Sequence, residues 1–295
     1  MRLGDEEESS NFEDRTGGGG GLGFGGGGGG GALGMILGLV ASRFGIVGVL
    51  ILLLGYCALT TLGGGGGGVS VPSTVQAPGP AGESTLNPQV KDMVLRVLGS
   101  TERRWTDLLA ARGLQYKPTT LVFYSQTDRS GCGIAQSAMG PFYCPTDGKI
   151  YLDPTFFDEL SQRFGAKGDF AAAYVIAHEV GHHVQDLLGD LDRVQGMQQH
   201  VSNTEGNALQ VRVELQADCY AGVWAANDRN LLEPGDVEEG MTAASAIGDD
   251  TLQRQSQGRV VPESFTHGSS EQRMTWLRKG LQTGDPAACN TLNGV

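Results

Sequence analysis

Two histidines four residues apart, with a glutamate between them, are the residues of this sequence best suited to metal chemistry. They form the pattern His-Glu-x-x-His as His178, Glu179 and His182. Residues four apart share a face of an α-helix, so both imidazoles can bind one metal ion. Glu179 lies about 100° further round the helix, where it can reach a water molecule on that ion. This pattern predicts a zinc ion, Zn2+, that activates a water molecule, with Glu179 as the general base.

A third ligand is expected, because a catalytic zinc ion usually has three protein ligands and one open position for water. The segment ELQAD offers two carboxylates, Glu214 and Asp218, on one face of a helix. Either can complete the ligand set, and the other can accept a hydrogen bond from a ligand histidine. Two acidic residues at this spacing are more often a solvated helix face, but Val211, Leu215 and Cys219 make the neighbouring surface apolar.

His267 is the remaining histidine best suited to a role in catalysis. It lies in the segment SFTHGSS, just before a predicted helix start at Ser269. Negative charge develops on the carbonyl oxygen during hydrolysis, and a donor such as His267 would stabilise it. The alternative is a histidine that packs or caps within a loop. His183 and His200 are assigned no part in the chemistry.

Three predicted helices must position these side chains. The central helix spans residues 169–188, and its residues 170–177 are apolar on nearly every side, as in a helix buried through a domain centre. A second helix runs from residue 203 or 204 to residue 227, and a third spans residues 269–281. Burying two histidines and a glutamate without partners would cost several kcal/mol, a cost that a bound metal removes.

Weaker patterns complete one domain over residues 87–295. Further helices are predicted over residues 88–98, 101–111, 154–164 and 234–246, and short strands over residues 119–124 and 149–152. Residues 131–145 and 190–202 are predicted loops. Many helices with few strands indicate a mostly helical α+β fold with a small β-sheet.

The chain before this domain divides into three predicted parts. Residues 1–43 begin with an acidic run, Asp5–Glu8, continue as nearly pure glycine and are predicted to be disordered. Residues 44–62 contain no charge and match one transmembrane helix, and residues 63–86 form a Gly/Pro-rich linker. Arg43 precedes the span, so the positive-inside rule places the N-terminus in the cytoplasm and the domain outside.

Charge and cysteine usage limit the partners and the compartment. The formal net charge is -12, so no basic surface is available for nucleic acid. Four cysteines outside the predicted span favour two disulfides in an oxidising compartment, with three possible connectivities; they are Cys132, Cys144, Cys219 and Cys289. Proximity within one loop favours pairing Cys132 with Cys144, which leaves Cys219 for Cys289.

Four separated motifs carry a resemblance to a known family. HEVGHH and ELQADCYAG, with GPFYCPTDGKIYLD upstream and SFTHGSSEQR downstream, resemble bacterial membrane-tethered neutral zinc metallopeptidases over residues 87–285. More distantly, the paired HExxH and ExxxD motifs are similar to those of gluzincins of the Ste24/HtpX kind. The glycine tether and single span also fit the family's layout.

The resemblance implies a zincin-like fold that hydrolyses peptide bonds at the bacterial inner membrane. In the gluzincins the glutamate of ExxxD is the third ligand, so Glu214 is implied as a ligand and Asp218 as the hydrogen-bond partner of a ligand histidine. The strand beside the metal binds substrate in zincins, which implies this role for Lys149–Leu152. The expected partners are a peptide or protein substrate and, through one transmembrane helix, the membrane.

Two other functions remain open at this point. One is a zinc-stabilised extracytoplasmic scaffold or binding protein without turnover, and the other is a zinc hydrolase of cell-wall peptides. Glu179 argues against the scaffold, because a structural zinc site has no use for a carboxylate beside the metal. Nothing in the sequence specifies an oligomeric state.

Overall fold

The computed structural model describes residues 1–17 and 84–293. The predicted membrane span over residues 44–62, the glycine tether before it and nearly all of the linker after it lie outside these residues. Among the described residues, no helix combines the length and apolarity that a membrane span requires. The described part is mostly helical with small sheets, and it has the α+β composition that the sequence predicts.

The part of the chain that the structure describes contains eight α-helices. They are α1 (Pro88–Ala110), α2 (Thr155–Gln162), α3 (Asp169–Leu187), α4 (Asp190–Gln198), α5 (Asn203–Asn227), α6 (Asp236–Ala246), α7 (Asp249–Gln257) and α8 (Ser270–Thr283). The predicted helices over residues 169–188, 203–227 and 269–281 are confirmed as α3, α5 and α8 to within two residues at each end.

The predicted break between residues 98 and 101 is wrong, since α1 continues through it. Ser100 is fully buried inside the helix, where its hydroxyl donates to Asp228 and accepts from Trp224 Nε1 at 2.8 Å. Gly99 allows close packing, because a Cβ there would lie 2.4 Å from the carbonyl oxygen of Glu7. Gly99 and Ser100 therefore make tertiary contacts within a continuous helix and do not end it.

Two further helices lie where the sequence predicts none. Helix α4 occupies part of the predicted loop 190–202 and packs against α5 through Leu191 and Val194. Helix α7 has a single large apolar residue, Leu252, so it carries no hydrophobic periodicity. Tertiary contacts stabilise both helices, and such contacts override weak local patterns.

The main sheet has the strand order β1-β2-β6-β5. Its strands are β1 (Phe12–Asp14), β2 (Thr120–Phe123), β5 (Phe142–Cys144) and β6 (Lys149–Leu152), and a separate hairpin joins β3 (Thr127–Ser130) to β4 (Gly133–Gln136). Strands β1, β2 and β6 are parallel, and β5 runs antiparallel to β6 as an edge strand. The predicted strands are confirmed as β2 and β6, whereas the predicted loop 131–145 contains β4 and β5.

Residues 1–17 are part of this fold, so the prediction of a disordered tail is wrong for them. Strand β1 pairs with β2 in the register Phe12↔Leu121. The acidic charge that predicts disorder is neutralised by basic partners, as in the ion pair between Glu6 and Arg103.

Helix α3 runs through the core and packs against α5, with the sheet on its other side. Gly181 makes the α3–α5 approach possible, because a Cβ there would lie 3.0 Å from the carbonyl oxygen of Ala217. Both predicted disulfides are present in the structure. Cys132–Cys144 joins the β3–β4 turn to β5, and Cys219–Cys289 joins α5 to the C-terminal segment.

Candidate metal centre

Three predicted ligands converge between α3 and α5. His178 Nε2 lies 3.2 Å from both His182 Nε2 and Glu214 Oε2, and His182 Nε2 lies 3.5 Å from Glu214 Oε2. The two histidines are one helical turn apart on α3, and the glutamate projects from the facing turn of α5. The structure therefore brings together residues that lie up to 36 positions apart in the sequence. Their ligand atoms are close enough to hold one metal ion.

The protonation of the two imidazoles makes this cluster a site for a cation. His178 Nδ1 lies 2.8 Å from the carboxylate of Asp218, and His182 Nδ1 lies 2.8 Å from Gln185 Oε1. Both partners accept hydrogen bonds, so in the neutral form of each imidazole Nδ1 carries the hydrogen and Nε2 presents a lone pair. In that form two lone pairs and a carboxylate face one another. A tetrahedral zinc ion with nitrogen and oxygen ligands fits this set.

The amide of Gln185 is held in the orientation that this tautomer requires. Its Nε2 donates to the Val213 carbonyl oxygen at 2.7 Å and to Gln216 Oε1 at 2.8 Å, so its oxygen faces His182. Gln185 is completely buried and sits at the next turn of α3. This glutamine was not identified from the sequence. The signal that predicts it is an amide three residues after a ligand histidine, on the apolar face of the helix.

The charge balance of the pocket also favours a cation. Burial lowers the pKa of His178, but Asp218 and Glu214 outweigh burial and raise the pKa to about 9. Burial alone would raise the pKa of Glu214, but the neighbouring His182 and His178 lower that pKa well below its usual range. A positive charge between these groups is therefore stabilised, and a metal ion would supply it.

Asp218 connects the ligands to a buried arginine. Its Oδ1 accepts from Tyr174 Oη at 2.6 Å, from His178 Nδ1 at 2.8 Å and from Arg273 Nη2 at 2.9 Å, while its Oδ2 accepts from Arg273 Nε at 2.9 Å. Burial raises the pKa of Asp218, yet Arg273 and His178 together lower it far more. The carboxylate is therefore ionised and fixed in place, as a partner of a ligand histidine should be.

Arg273 was not identified from the sequence as a site residue. It lies on α8, in the same face as the fully buried Leu277, and only 2% of its surface is exposed. Gly222 and Gly280 allow α8 to reach α5 closely, since a Cβ on Gly280 would lie 2.0 Å from the carbonyl oxygen of Cys219. A cation at an apolar helix position was the available signal, because such a residue needs a buried anion.

Glu179 lies beside the ligands and is almost fully buried, with 6% of its surface exposed. Burial raises its pKa, and His178 and His182 partly oppose the rise. Tyr143, on strand β5, lines the same cavity as Glu179. The general base candidate therefore lies in the cavity that the edge of the sheet borders.

Strand β5 is held against α3 by the Tyr143 side chain. Its hydroxyl donates to Asp186 at 2.6 Å and lies 3.1 Å from His183 Nδ1. His183 Nε2 donates to the Lys117 carbonyl oxygen at 2.6 Å. His183 therefore packs beneath the sheet and points away from the ligand cluster, in agreement with its exclusion from the chemistry.

His267 is half exposed and lines the same cavity as the ligands. Its Nδ1 lies 3.4 Å from Asp249 Oδ1, and its pKa is raised by Asp249 against the opposing effect of burial, with a further increase from Glu214. Asp249 Oδ2 also accepts the backbone N–H groups of Thr266 at 2.7 Å, His267 at 2.6 Å and Gly268 at 3.1 Å. Asp249, which the sequence did not single out, therefore fixes the loop that carries His267.

The ligands open onto a cavity of about 780 Å³. Apolar and aromatic side chains make up much of its wall, among them Met139, Phe156, Phe164, Val175, Leu191 and Val194. Residues 142 and 143 of β5 border the cavity, whereas β6 does not. The implied role of Lys149–Leu152 as the substrate strand is therefore wrong, because β6 is paired on both sides by β2 and β5. Among the described residues, the strand with a free edge beside the ligands is β5.

Comparison with known proteins identifies the family. The protein family described as "Putative neutral zinc metallopeptidase" matches residues 1–292 of this chain. The chain belongs to this family. The match to the zinc metallopeptidase family begins at residue 1, so it includes β1 and the residues before it. At the level of the family, the function is that of a zinc peptidase.

Two relatives are similar to this member of the zinc metallopeptidase family over most of their length. The protein YpfJ of Escherichia coli K12 is 54% identical over 197 residues, which are 66% of this chain and 69% of YpfJ. The protein Mb2605 of Mycobacterium bovis is 43% identical over 219 residues, 70% of this chain and 72% of that protein. Both are named as uncharacterized proteins. No solved structure matches this chain.

Proposed function

We propose that this protein is a zinc-dependent endopeptidase in which His178, His182 and Glu214 bind the metal and Glu179 is the general base. The observation that carries the proposal is the convergence of two imidazoles and a carboxylate that could hold one metal ion, beside a second buried carboxylate, Glu179, and an open cavity. A closed structural zinc site would need neither the carboxylate nor the cavity.

Zinc, when bound, polarises the substrate carbonyl group and lowers the pKa of a water molecule to about 7. Glu179 accepts a proton from the attacking water and then donates it to the nitrogen of the departing amine. Burial raises the pKa of this carboxyl group above its ordinary value, and a raised pKa suits a group that must both accept and return a proton near neutral pH.

His267 stabilises the negative charge that develops on the carbonyl oxygen. Its position on the cavity wall and its neighbour Asp249 support this role. With Nδ1 directed at the Asp249 carboxylate, the imidazolium has Nε2–H free to donate into the cavity. Asp249 is then a positioning residue, because it acts on the loop and on the orientation of the ring.

The substrate proposed is an extended peptide that pairs with the free edge of β5. A backbone added to this edge would run along the cavity that Phe142, Tyr143 and Glu179 all line. The apolar cavity wall around Met139, Phe156 and Phe164 favours a large apolar side chain next to the cleaved bond. The cavity volume of about 780 Å³ is sufficient for several residues of a peptide.

An oxidising, extracytoplasmic compartment is proposed for the folded domain. Two disulfides within residues 84–293 support this location, because such bonds are rare in reducing compartments. Attachment to the membrane through residues 44–62 remains part of the proposal.

Peptide mapping with a base-deficient variant tests the proposed activity. Zinc-loaded wild type and Glu179→Gln would each be incubated with a proteome-derived peptide library, followed by mass spectrometry of new N-termini. We expect new termini only with wild type, with apolar residues enriched beside the cleaved bond. Glu238→Gln, an exposed glutamate on α6, is the matched control and should cleave as wild type does.

The same variants, incubated with the peptide library and with purified peptidoglycan, distinguish the two other functions. A scaffold protein would give no new termini with zinc-loaded wild type, and the proposed function would then be wrong. A hydrolase of cell-wall peptides would leave the proteome library intact but release fragments from purified peptidoglycan in a Glu179-dependent manner.

A further inference from the structure

The first 17 residues of the chain, the N-terminal segment, are built into the sheet and into α1. Strand β1 takes the free edge of β2, where the Leu121 N–H donates to the Asn11 carbonyl oxygen at 3.0 Å and the Arg15 N–H donates to the Phe123 carbonyl oxygen at 2.8 Å. The Phe12 ring packs edge-on against Phe123, with 6.3 Å between ring centroids. The segment therefore supplies the outer strand of the four-stranded sheet.

Polar contacts to α1 fix the segment further. Ser9 is 5% exposed, and its N–H donates to the Leu95 carbonyl oxygen at 2.9 Å. Ser9 Oγ and Asn11 Nδ2 both donate to Glu102 Oε1, at 2.7 and 3.0 Å. Gly99 completes the fit, because any side chain at this position would collide with the segment's backbone. Helix α1 thus has a surface shaped for this segment.

Ion pairs join the segment to three other elements of the domain. Glu13 pairs with Lys149 on β6, Arg15 pairs with Asp128 on β3 at 2.8 Å, and Arg103 on α1 pairs with Glu6. Opposite charges that meet at several separate points make the docking specific in position and direction. A tail that touches the domain only transiently would not require such a distributed set of partners.

The residues on either side of the connecting stretch, residues 18–83, are hydrogen-bonded to one another. Ser84 Oγ donates to Asp14 Oδ2 at 2.6 Å, and the Thr85 N–H donates to Thr16 Oγ1 at 3.2 Å. The chain therefore leaves the domain after residue 17 and returns to it at residue 84 on the same side. A membrane cannot pass between these hydrogen-bonded residues, because they belong to one packed unit.

We propose that the N-terminal segment is a permanent strand of the catalytic domain and lies in the same compartment as residues 84–293. A single crossing by residues 44–62 with the N-terminus in the cytoplasm is then excluded. This inference is independent of the proposed catalysis, since it rests on the contacts that the N-terminal segment makes with the rest of the domain.

Thiol labelling of the full chain in cells tests the shared compartment. In a Cys57→Ser background the other four cysteines are held in disulfides, so a single new cysteine is the only free thiol. Gly4→Cys reports on the segment and Gly196→Cys on the domain, and both positions have open space for a side chain. A membrane-impermeant maleimide is applied to intact cells and, separately, to detergent-lysed cells.

The expected result is that both variants label to the same extent in intact cells, relative to full labelling after lysis. Labelling of Gly196→Cys in intact cells with Gly4→Cys labelled only after lysis would overturn the proposal. The reverse pattern would overturn it as well. Neither result depends on peptidase activity, so failure of this proposal is distinguishable from failure of the proposed function.

Cross-linking tests whether the strand comes from the same chain. In the same Cys57→Ser background, Glu6→Cys combined with Arg103→Cys places two thiols where an ion pair lies in the structure. A short bismaleimide should join them within one chain, giving a monomer on a denaturing gel and a linked peptide pair by mass spectrometry. The single variant Glu6→Cys should give no such linked pair. A cross-linked dimer as the main product would overturn the proposal, because the strand would then come from a second copy.

Discussion

Replacing Asp218 with asparagine separates the two roles that the structure gives this carboxylate. One role is to accept the Nδ1 hydrogen of His178 at 2.8 Å, which leaves Nε2 free for a metal. The other is to neutralise Arg273, which it contacts twice at 2.9 Å. Asparagine keeps the size and one acceptor oxygen but removes the charge. We therefore expect losses in both zinc affinity and stability.

The two losses have different expected sizes. Loss of the charged partner of a ligand histidine typically weakens metal binding about 10- to 100-fold, or roughly 1.4–2.7 kcal/mol. Loss of one member of a buried ion pair typically costs about 3–5 kcal/mol of folding free energy, because the other charge is left unpaired. The second range applies because Asp218 is fully buried and Arg273 is 2% exposed.

A double variant distinguishes these effects. Arg273→Met removes the cation while retaining an apolar stem, so Asp218→Asn with Arg273→Met contains no unpaired buried charge. The double variant should be more stable than Asp218→Asn alone. Its zinc affinity should stay reduced about 10- to 100-fold, because the charged partner of His178 is still absent. Stability and metal affinity then vary independently.

Two measurements decide the outcome. Urea unfolding in the presence of a chelator gives the free energy of unfolding of the metal-free protein, and competition with a chromophoric chelator gives the zinc dissociation constant. The reasoning is refuted if the zinc affinity of folded Asp218→Asn is within about threefold of the wild-type affinity, because that loss is far smaller than the one expected. It is also refuted if the double variant recovers wild-type zinc affinity.

Three further predictions concern the oxyanion donor and the metal. His267→Ala should lower kcat about 10²-fold with little change in KM, because the lost donor acts on charge that develops only in the transition state; steady-state kinetics on a cleaved peptide measures this. The pKa of His267 is raised by Asp249, so the imidazolium donor is lost as pH rises through that raised value. Asp249→Asn should therefore move the alkaline fall in kcat to lower pH, whereas Asp250→Asn, which removes a carboxylate bonded to Ser270 instead, should leave the pH profile in place. Removing zinc with a chelator should lower Tm as well as activity, and adding zinc should restore both, because an ion bound only to the folded state stabilises it; a Tm unchanged by removal would contradict a site formed by folding.

The sequence predicts the active-site helix and its partner well because both signals are strong. His178 and His182 follow an apolar run long enough to identify a buried helix, and Glu214 lies in an equally long pattern. The spacing of four fixes which side chains share a face, so their convergence across α3 and α5 follows once the two helices pack. Cysteine proximity in one loop was likewise enough to predict the Cys132–Cys144 disulfide, which the structure contains.

Features that depend on distant partners could not be predicted in this way. Arg273 and Asp249 lie in short polar stretches, and their roles arise only when α8 and α7 reach the cavity. The N-terminal segment was mistaken for a disordered tail because its acidic residues have their basic partners, such as Arg103 and Lys149, many residues away. Local composition reports the charge of a segment but not the surface that neutralises it.

The turnover rate of zinc-loaded Glu179→Gln, on a peptide that wild type cleaves, tests whether Glu179 is the general base. Glutamine keeps the shape of the side chain but cannot accept the proton from water. We expect about one bound zinc ion per chain and a kcat at least about 10²-fold below that of wild type and of the Glu238→Gln control. A zinc-loaded Glu179→Gln that cleaves at the wild-type rate would show that Glu179 is not the general base.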